Sequence, residues 1–255
     1  MAKPVISVVT PISTVKYVDR LQACLASVRK QSYAQGRIEL LLVYLVRDDI
    51  IEDLEPLRKL CGQYDATLIE QVHHKNAWTP SLSRNVGYRR ATGQILVSLD
   101  ADAVLDRRTF RVAERRMRGG KKAVRVRTSL VPYPPGSGLF FDLRPQAFQK
   151  SVDVGAKAPG PGCCIMAPRG AVFKIHGWDE KFVGYGPADW DFVKRLVKAG
   201  YRVINLSKTD GIWTLHQHHE RKLGTKRQLR NIAYFNESSQ SGDPVRNHDG
   251  WGGEP

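Results

Sequence analysis

The sequence predicts an α/β fold, a mostly parallel central sheet flanked by helices. Three observations predict it. Branched apolar runs at Val5–Val9, Ile38–Val46 and Ile95–Leu99 have the length of buried strands and are too short for independent helices. Between them, apolar residues recur three and four apart, as on one face of a helix. The two kinds of stretch alternate along the chain, as parallel strands joined by crossover helices must.

In order, Val5–Val9 (VISVV) is a strand that stops at Thr10-Pro11, and Val18, Leu21, Leu25 and Val28 share a helix face. Ile38–Val46 is the second strand, ending in Arg47-Asp48-Asp49; Ile51, Leu54, Leu57 and Cys61 are spaced as the inward face of the next helix. Ala66–Val72 reads as a third strand. Thr79-Pro80 has the form of an N-cap with proline at the first helical position, opening a helix through Ala91 that closes at Gly93. The strand Ile95–Leu99 follows and runs directly into Asp100-Ala101-Asp102.

That junction is the first candidate site. In extended chain, residues i and i+2 point the same way, so Asp100 and Asp102 can face one point beyond the strand end. In an open α/β sheet this edge is where ligands bind. Paired carboxylates there suit a hard cation, Mg²⁺ or Mn²⁺, that shares its shell with ligand phosphates. An Asp-rich turn after a strand is the plainer alternative. Thr10, Pro11, Asp48 and Asp49 stand at the ends of the preceding strands and would meet at the same edge. No G-x-G-x-x-G follows the first strand and no G-x-x-x-x-G-K-[ST] occurs, which argues against a nicotinamide site or a P-loop.

Beyond the aspartates, residues 107–127 hold ten arginines and lysines against Glu114 alone. Residues 107–118 can form a helix with Phe110, Ala113 and Met117 inward and arginines outward; Val124, Val126 and Thr128 then alternate with arginines. Val131–Gly162 is rich in Pro and Gly, a loop or a lid. Cys163–Ala167 and Tyr201–Leu206 read as strands. A helix begins at Pro187 with Asp189 and Asp191 in its first turn and Lys194, Arg195 and Lys198 later, an order that complements the helix dipole. Helix-end chemistry is therefore the plain reading of Asp189. Arg221–Tyr234 is basic and helical in character, and the polar, Gly-rich stretch from Asn236 reads as a loose tail. The expected organisation is one domain, with residues 1–105 as its first half, 106–235 as its second and 236–255 as a flexible tail.

The chain has 40 Lys plus Arg against 25 Asp plus Glu, a formal charge of +15. Such an excess concerns partners rather than fold and favours polyanions or an anionic membrane. Its four cysteines lack C-x-x-C spacing, so buried reduced thiols are expected, as in a cytoplasmic protein. No run of 18 apolar residues occurs and the start lacks a signal-peptide pattern, so the protein reads as soluble, or peripheral to a membrane at most. No obligate protein partner is evident.

Four stretches, in order, carry a family resemblance. The opening VISVVTPI is similar to a first strand; Ser83-Arg84-Asn85-Val86-Gly87, Ala91-Thr92-Gly93 and Asp100-Ala101-Asp102 resemble an "A-R-N-x-G … A-x-G … D-A-D" block. Gly177–Phe182 with Gly186-Pro187-Ala188-Asp189-Trp190-Asp191 resembles the "G-[FW]-D-E-x-F … G-x-x-E-D-x-D" segment of galactosyltransferases, and His216-Gln217-His218-His219 a closing histidine segment. Together they resemble the inverting GT-A glycosyltransferases of the large family that includes cellulose and chitin synthases. Two departures stand out: Ala188 replaces the usual Glu before Asp189, and Asp48-Asp49-Ile50 is half of the usual second-strand motif.

The resemblance implies the Rossmann-like GT-A fold, with residues 1–105 as its nucleotide-sugar-binding half and 106–235 as its acceptor-binding and catalytic half. It also implies a metal-dependent transfer of a sugar from a nucleotide diphosphate, with a bias toward a UDP-sugar. Asp102 would be the direct ligand of Mn²⁺ or Mg²⁺, Asp100 would sit nearer the ribose, and His216, with His218 and His219 behind it, would add a ligand. Asp189 would be the general base. Thr10, Pro11, Asp48 and Arg84 would line the nucleotide pocket, with Arg84 reaching phosphate. The charge of segment 107–127 suggests an anionic acceptor: nucleic acid such as hydroxymethylated phage-type DNA, with Trp78, Tyr133, Phe140 or Trp178 stacking on a flipped base. The alternatives are a surface-polysaccharide or glycolipid enzyme on anionic membrane, and a non-catalytic sugar-nucleotide or nucleic-acid binding module.

Overall fold

A computed structural model of the chain describes residues 5–48, 51–73, 77–126, 128–130, 152–153, 163–206, 210–212, 214–217 and 224–253. The strands are β1 (Ile6–Ile12), β2 (Ile38–Arg47), β3 (Thr67–His73), β4 (Ile95–Leu99), β5 (Ala103–Leu105), β6 (Lys122–Val126), β7 (Thr128–Leu130), β8 (Val152–Asp153), β9 (Cys164–Pro168), β10 (Arg202–Leu206) and β11 (Thr214–His216). The helices are α1 (Val18–Arg29), α2 (Glu55–Gln63), α3 (Pro80–Arg90), α4 (Thr109–Met117), α5 (Arg169–Lys174), α6 (Ala188–Lys198) and α7 (Lys226–Ser238).

Seven strands form the central sheet in the order β10-β6-β9-β4-β1-β2-β3. All run parallel except β9, which lies antiparallel between β4 and β6. Both faces are buried, and alternate residues of one strand serve opposite layers: Leu40, Leu42 and Tyr44 face α1, α2 and α4, whereas Leu41, Val43 and Leu45 face α3, α5 and α6. This explains why β2 reads as a continuous apolar run. A second sheet, β5-β11-β7-β8, stands at the end of β4.

Several elements differ from the expectation. β1 does not stop at Thr10-Pro11. Its pairing with β4 ends at Val9, so the missing N–H of Pro11 costs no ladder bond there, and β2 pairs on to Ile12. Ile51 is not on an inward helix face but fully exposed. Pro56 is tolerated only in the first turn, which sets the start of α2 at Glu55 and leaves Ile51 outside. Thr79 holds the N-cap position of α3 without capping it; its hydroxyl instead lies 3.2 Å from His73 Nε2.

The expected loose tail is packed onto the body. Trp251 is buried, edge-on to Phe173 at 5.1 Å between ring centroids. Asn247 Nδ2 donates to the carbonyls of His176 and Trp178, and the Gly252 N–H donates to Glu180 Oε1 at 2.8 Å. A polar, Gly-rich composition signals looseness only when nothing apolar anchors it, and here Trp251 does. All four cysteines are buried and none is in a disulfide. Among the described residues no helix is long and apolar enough to cross a membrane.

Candidate active site

The cleft is built where β4 ends. The Asp100 N–H donates to the carbonyl of Cys163, and the chain then turns, with the Ala103 N–H returning to the Asp100 carbonyl at 3.0 Å. The two aspartates are therefore delivered by a turn rather than by extended chain, and they meet different partners. Asp100 Oδ1 accepts from Arg84 Nη2 at 2.7 Å. Asp102 Oδ2 lies 3.4 Å from His216 Nε2. Strand register explains the second contact: β5 and β11 are antiparallel with Ala103 opposite His216, and the Gln217 N–H donates to the Asp102 carbonyl at 2.9 Å.

From the other side, α6 and the loop before it supply the opposite wall. Gly184, Tyr185, Gly186, Ala188 and Asp189 line the same cleft as Asp100, Asp102 and His216, a cavity of about 380 Å³. The loop is held by α7, where buried Asn231 donates to the carbonyls of Val183 and Tyr185, both at 2.9 Å. Gly186 is required for this contact, since a Cβ there would sit 2.7 Å from Asn231 Cβ. The Gly184 N–H donates to the Trp78 carbonyl, which joins this wall to the start of α3.

Arg84 stands between the walls. Its Nε donates to Ser98 Oγ at 2.8 Å and its guanidinium lies 4.3 Å above the Trp178 ring. Burial raises the Asp100 carboxyl above the usual aspartate range, against the opposing pull of Arg84. Burial likewise pushes Asp189 up to about 7, with Arg84 lowering it and Asp100 raising it. Asp189 keeps part of its surface open to the cleft, so a carboxyl poised near neutrality meets the space where a ligand would lie.

Asn85 explains why the Arg-Asn pair and the Gly177–Phe182 segment belong together. Its amide donates to the Trp178 carbonyl and to Glu180 Oε1 and accepts from the Trp178 N–H. Gly177, at φ +66, takes a conformation that disfavours side chains and lies against Asn85. Asp179 accepts from Tyr234 and pairs with Arg246, while Asp191 pairs with buried Arg195 at 2.7 Å. These acids hold the frame. Of the acids in the segment, Asp189 is the one that lines the cleft.

The other sequence-predicted residues scatter. Pro11 lines the cleft, whereas Thr10, one residue away and facing the opposite side of β1, is buried and does not. Asp48 is exposed beyond β2 and also outside the cleft wall. Arg84 lines the cleft, but its guanidinium is taken up by Ser98, Asp100 and Trp178. Trp178 is fully buried and stacked on Phe192 at 4.3 Å, so it cannot stack on a base, while Trp78 does line the cleft. Asp49, Tyr133, Phe140, His218 and His219 lie outside the described residues.

Sequence reasoning missed Tyr17 and Arg20. Both line the cleft, with Arg20 Cζ 4.5 Å from the Tyr17 ring, and Arg20 has no carboxylate partner among the described residues. Gln217 Nε2 donates to the Arg20 carbonyl, placing this turn of α1 beside the Asp102–His216 strand pair. The turn before it is held by Glu52, which accepts from Thr14 Oγ1, the Val15 N–H and Tyr44 OH. A lone Arg in a first helical turn has no pattern that singles it out.

The donor set suits the implied cation. Asp102 and His216 offer an oxygen and a nitrogen in one cleft, and among the described residues no three His, Cys, Asp or Glu side chains form a closed cage. Mn²⁺ or Mg²⁺ held by few protein ligands completes its shell with water and ligand phosphates.

The family model described as glycosyl transferase family 2 matches residues 7–137, which is half of the chain. The chain belongs to this family. A second model, described as the N-terminal domain of galactosyltransferase, matches residues 150–219, the part of this family 2 chain that carries Asp189 and His216. No curated protein matches the sequence. Among solved structures, GalNAc-T7 with UDP, GalNAc and Mn²⁺ is similar at TM-score 0.66 and 14% identity over 92% of this chain. The mannosyltransferase PcManGT from Pyrobaculum calidifontis, in complex with GDP-Man and Mn²⁺, is similar at 0.61 and 19% over 94%. TarS of S. aureus is similar at 0.59 and 16% over 84%. At these identities the likeness concerns the fold, which is GT-A. The chain spans 48%, 66% and 37% of the length of those three structures.

Proposed function

We propose that this family 2 chain transfers a sugar from a nucleotide-diphosphate donor to an acceptor hydroxyl, with inversion at the anomeric carbon. One observation carries the reading: Asp102 and Asp189, far apart in sequence, line one cleft together with Asp100 and His216. Asp189 takes the acceptor proton as the hydroxyl oxygen attacks the anomeric carbon. The bond from that carbon to the diphosphate oxygen breaks on the opposite side, and the nucleotide diphosphate leaves with the electron pair. Asp102 and His216 would hold Mn²⁺ or Mg²⁺, which when bound offsets the charge gathering on the leaving diphosphate.

The donor end is the wall formed by Pro11, Thr14, Tyr17, Arg20 and Asp100. Arg20, rather than Arg84, is the cation placed to meet a phosphate, because Arg84 is already engaged by Asp100 and Ser98. A UDP-sugar is the favoured donor; GalNAc-T7 and TarS have been solved with UDP, although PcManGT holds GDP-Man. The charge of +15 supports an anionic acceptor. For hydroxymethylated DNA the support is charge alone, from exposed Arg111 and Arg115 on one side of α4 and exposed Arg107 just before it; with Trp178 buried, the proposed base stacking loses a partner.

The test is a panel of sugar nucleotides incubated with the protein with and without Mn²⁺, read as release of the nucleotide diphosphate. Turnover of one donor that requires the metal and disappears in Asp102→Ala is expected. Binding of a donor with no turnover under any condition favours a non-catalytic module.

A further inference from the structure

We propose that the outward face of α7 (Lys226–Ser238) docks on an anionic lipid bilayer and turns the mouth of the cleft toward it. The helix packs on the body through Asn231, Tyr234 and Phe235: Asn231 is buried, Tyr234 OH donates to Asp179 at 2.7 Å, and Phe235 lies 4.6 Å from the Lys194 ammonium. Its other side carries Leu229, 58% exposed, and Ile232, 40% exposed, with Ala233 exposed beside them. Apolar residues three and four apart normally form the stripe that meets a core. Here the core is met by a different stripe, and this one faces outward with exposed Lys226 and Arg230 alongside.

Charge decides the occupant. A second copy of the chain would bring the same cations and another +15. Nucleic acid would answer the cations but offer nothing to cover Leu229 and Ile232. An anionic bilayer supplies both, phosphates for Lys226 and Arg230 and an acyl boundary for the apolar pair. Two apolar side chains give only shallow, reversible insertion, so the charge is needed as well. The outer face of α4 differs: Arg111 and Arg115 are exposed there without exposed large apolar neighbours on that helix.

The placement gives docking a consequence. Asn231 on the inner side of α7 holds the carbonyls of Val183 and Tyr185, and Tyr185, 44% exposed, is on the cleft wall beside Asp189. Resting on the transfer reading above, this makes the acceptor a hydroxyl carried on a lipid and presented at the interface.

The experiment is flotation of the full chain with vesicles of equal parts phosphatidylglycerol and phosphatidylcholine, against phosphatidylcholine alone. Binding to the anionic vesicles that weakens with salt is expected. Leu229→Ser with Ile232→Ser should lower partitioning about tenfold, while Arg111→Ser with Arg115→Ser lowers it less. Metal-dependent hydrolysis of the soluble donor should be unchanged in the α7 variant, which separates failure of docking from failure of the transfer reading; matching thermal melts confirm folding. Wild-type protein that ignores anionic vesicles, an α7 variant that binds them equally, or a variant that instead abolishes self-association overturns the proposal.

Discussion

Asp102 Oδ2 lies 3.4 Å from His216 Nε2, across the antiparallel pair that sets Ala103 opposite His216. The contact joins the family 2 part of the chain to the galactosyltransferase-like part. If this pair holds the cation, Asp102→Ala and His216→Ala should each weaken Mn²⁺ binding in the presence of UDP by at least the roughly 10–100-fold that loss of an outer-shell partner costs. Titration calorimetry or Mn²⁺ spin resonance reads this without turnover. Unchanged affinity in both variants would place the metal elsewhere.

Asp189 yields a pH prediction with a definite sign. Its carboxyl is raised from 3.8 to about 7 by burial. A base works ionised, so kcat/KM for the donor should climb with pH to a plateau, with a midpoint near 7. Asp189→Asn should cut transfer by about 10²–10⁴-fold and leave UDP affinity near the wild-type value.

The same shift governs stability. Folded Asp189 keeps a proton over a range where the unfolded chain has released it, so the wild type loses stability as pH rises from about 4 through about 7. Asp189→Asn has nothing to ionise. Its melting temperature should therefore match the wild type at acid pH, exceed it increasingly across that window, and hold a constant excess above it.

The two cleft arginines should separate cleanly. Arg20→Ala removes a half-buried cation of the cleft wall and should raise the donor KM about tenfold, the worth of one charge-assisted contact, with little change in melting temperature. Arg84→Ala strands Asp100 without its partner and should cost about 3–5 kcal/mol of stability. Arg84→Lys should not rescue it, since a lysine cannot bond Ser98 and Asp100 while lying flat on Trp178.

The packed C-terminal segment predicts a cost for losing its anchor. Trp251→Ala should destabilise by about 3–5 kcal/mol and expose the N–H of Gly252, which bonds Glu180, to hydrogen exchange. An exposed Trp251 in a loose tail would leave stability unchanged.

What was legible in the sequence follows from how local each feature is. β2 and β4 announce themselves because strands buried on both faces need unbroken apolar runs. Asp100 and Asp102 stand out as a pattern at a strand end. Asp189 does not, since an acid in a first helical turn has an adequate local explanation, and only the resemblance singled it out. Tyr17 and Arg20 become visible only when β11 brings Gln217 against α1. Asp48 misled for the opposite reason: it sits at a strand end, as site residues do, but beyond the wall of the cleft. Trp251 was outweighed by its polar neighbours, because composition averages over the one side chain that anchors the segment.

In the proposed reaction attack and departure occur on opposite sides of the sugar, with Asp189 on one and Asp102 on the other. Proton NMR of the first-formed sugar during metal-dependent hydrolysis of an α-linked UDP-sugar tests it directly. The β anomer should appear first and then mutarotate. First appearance of the α anomer would mean retention and rule out attack from the Asp189 side.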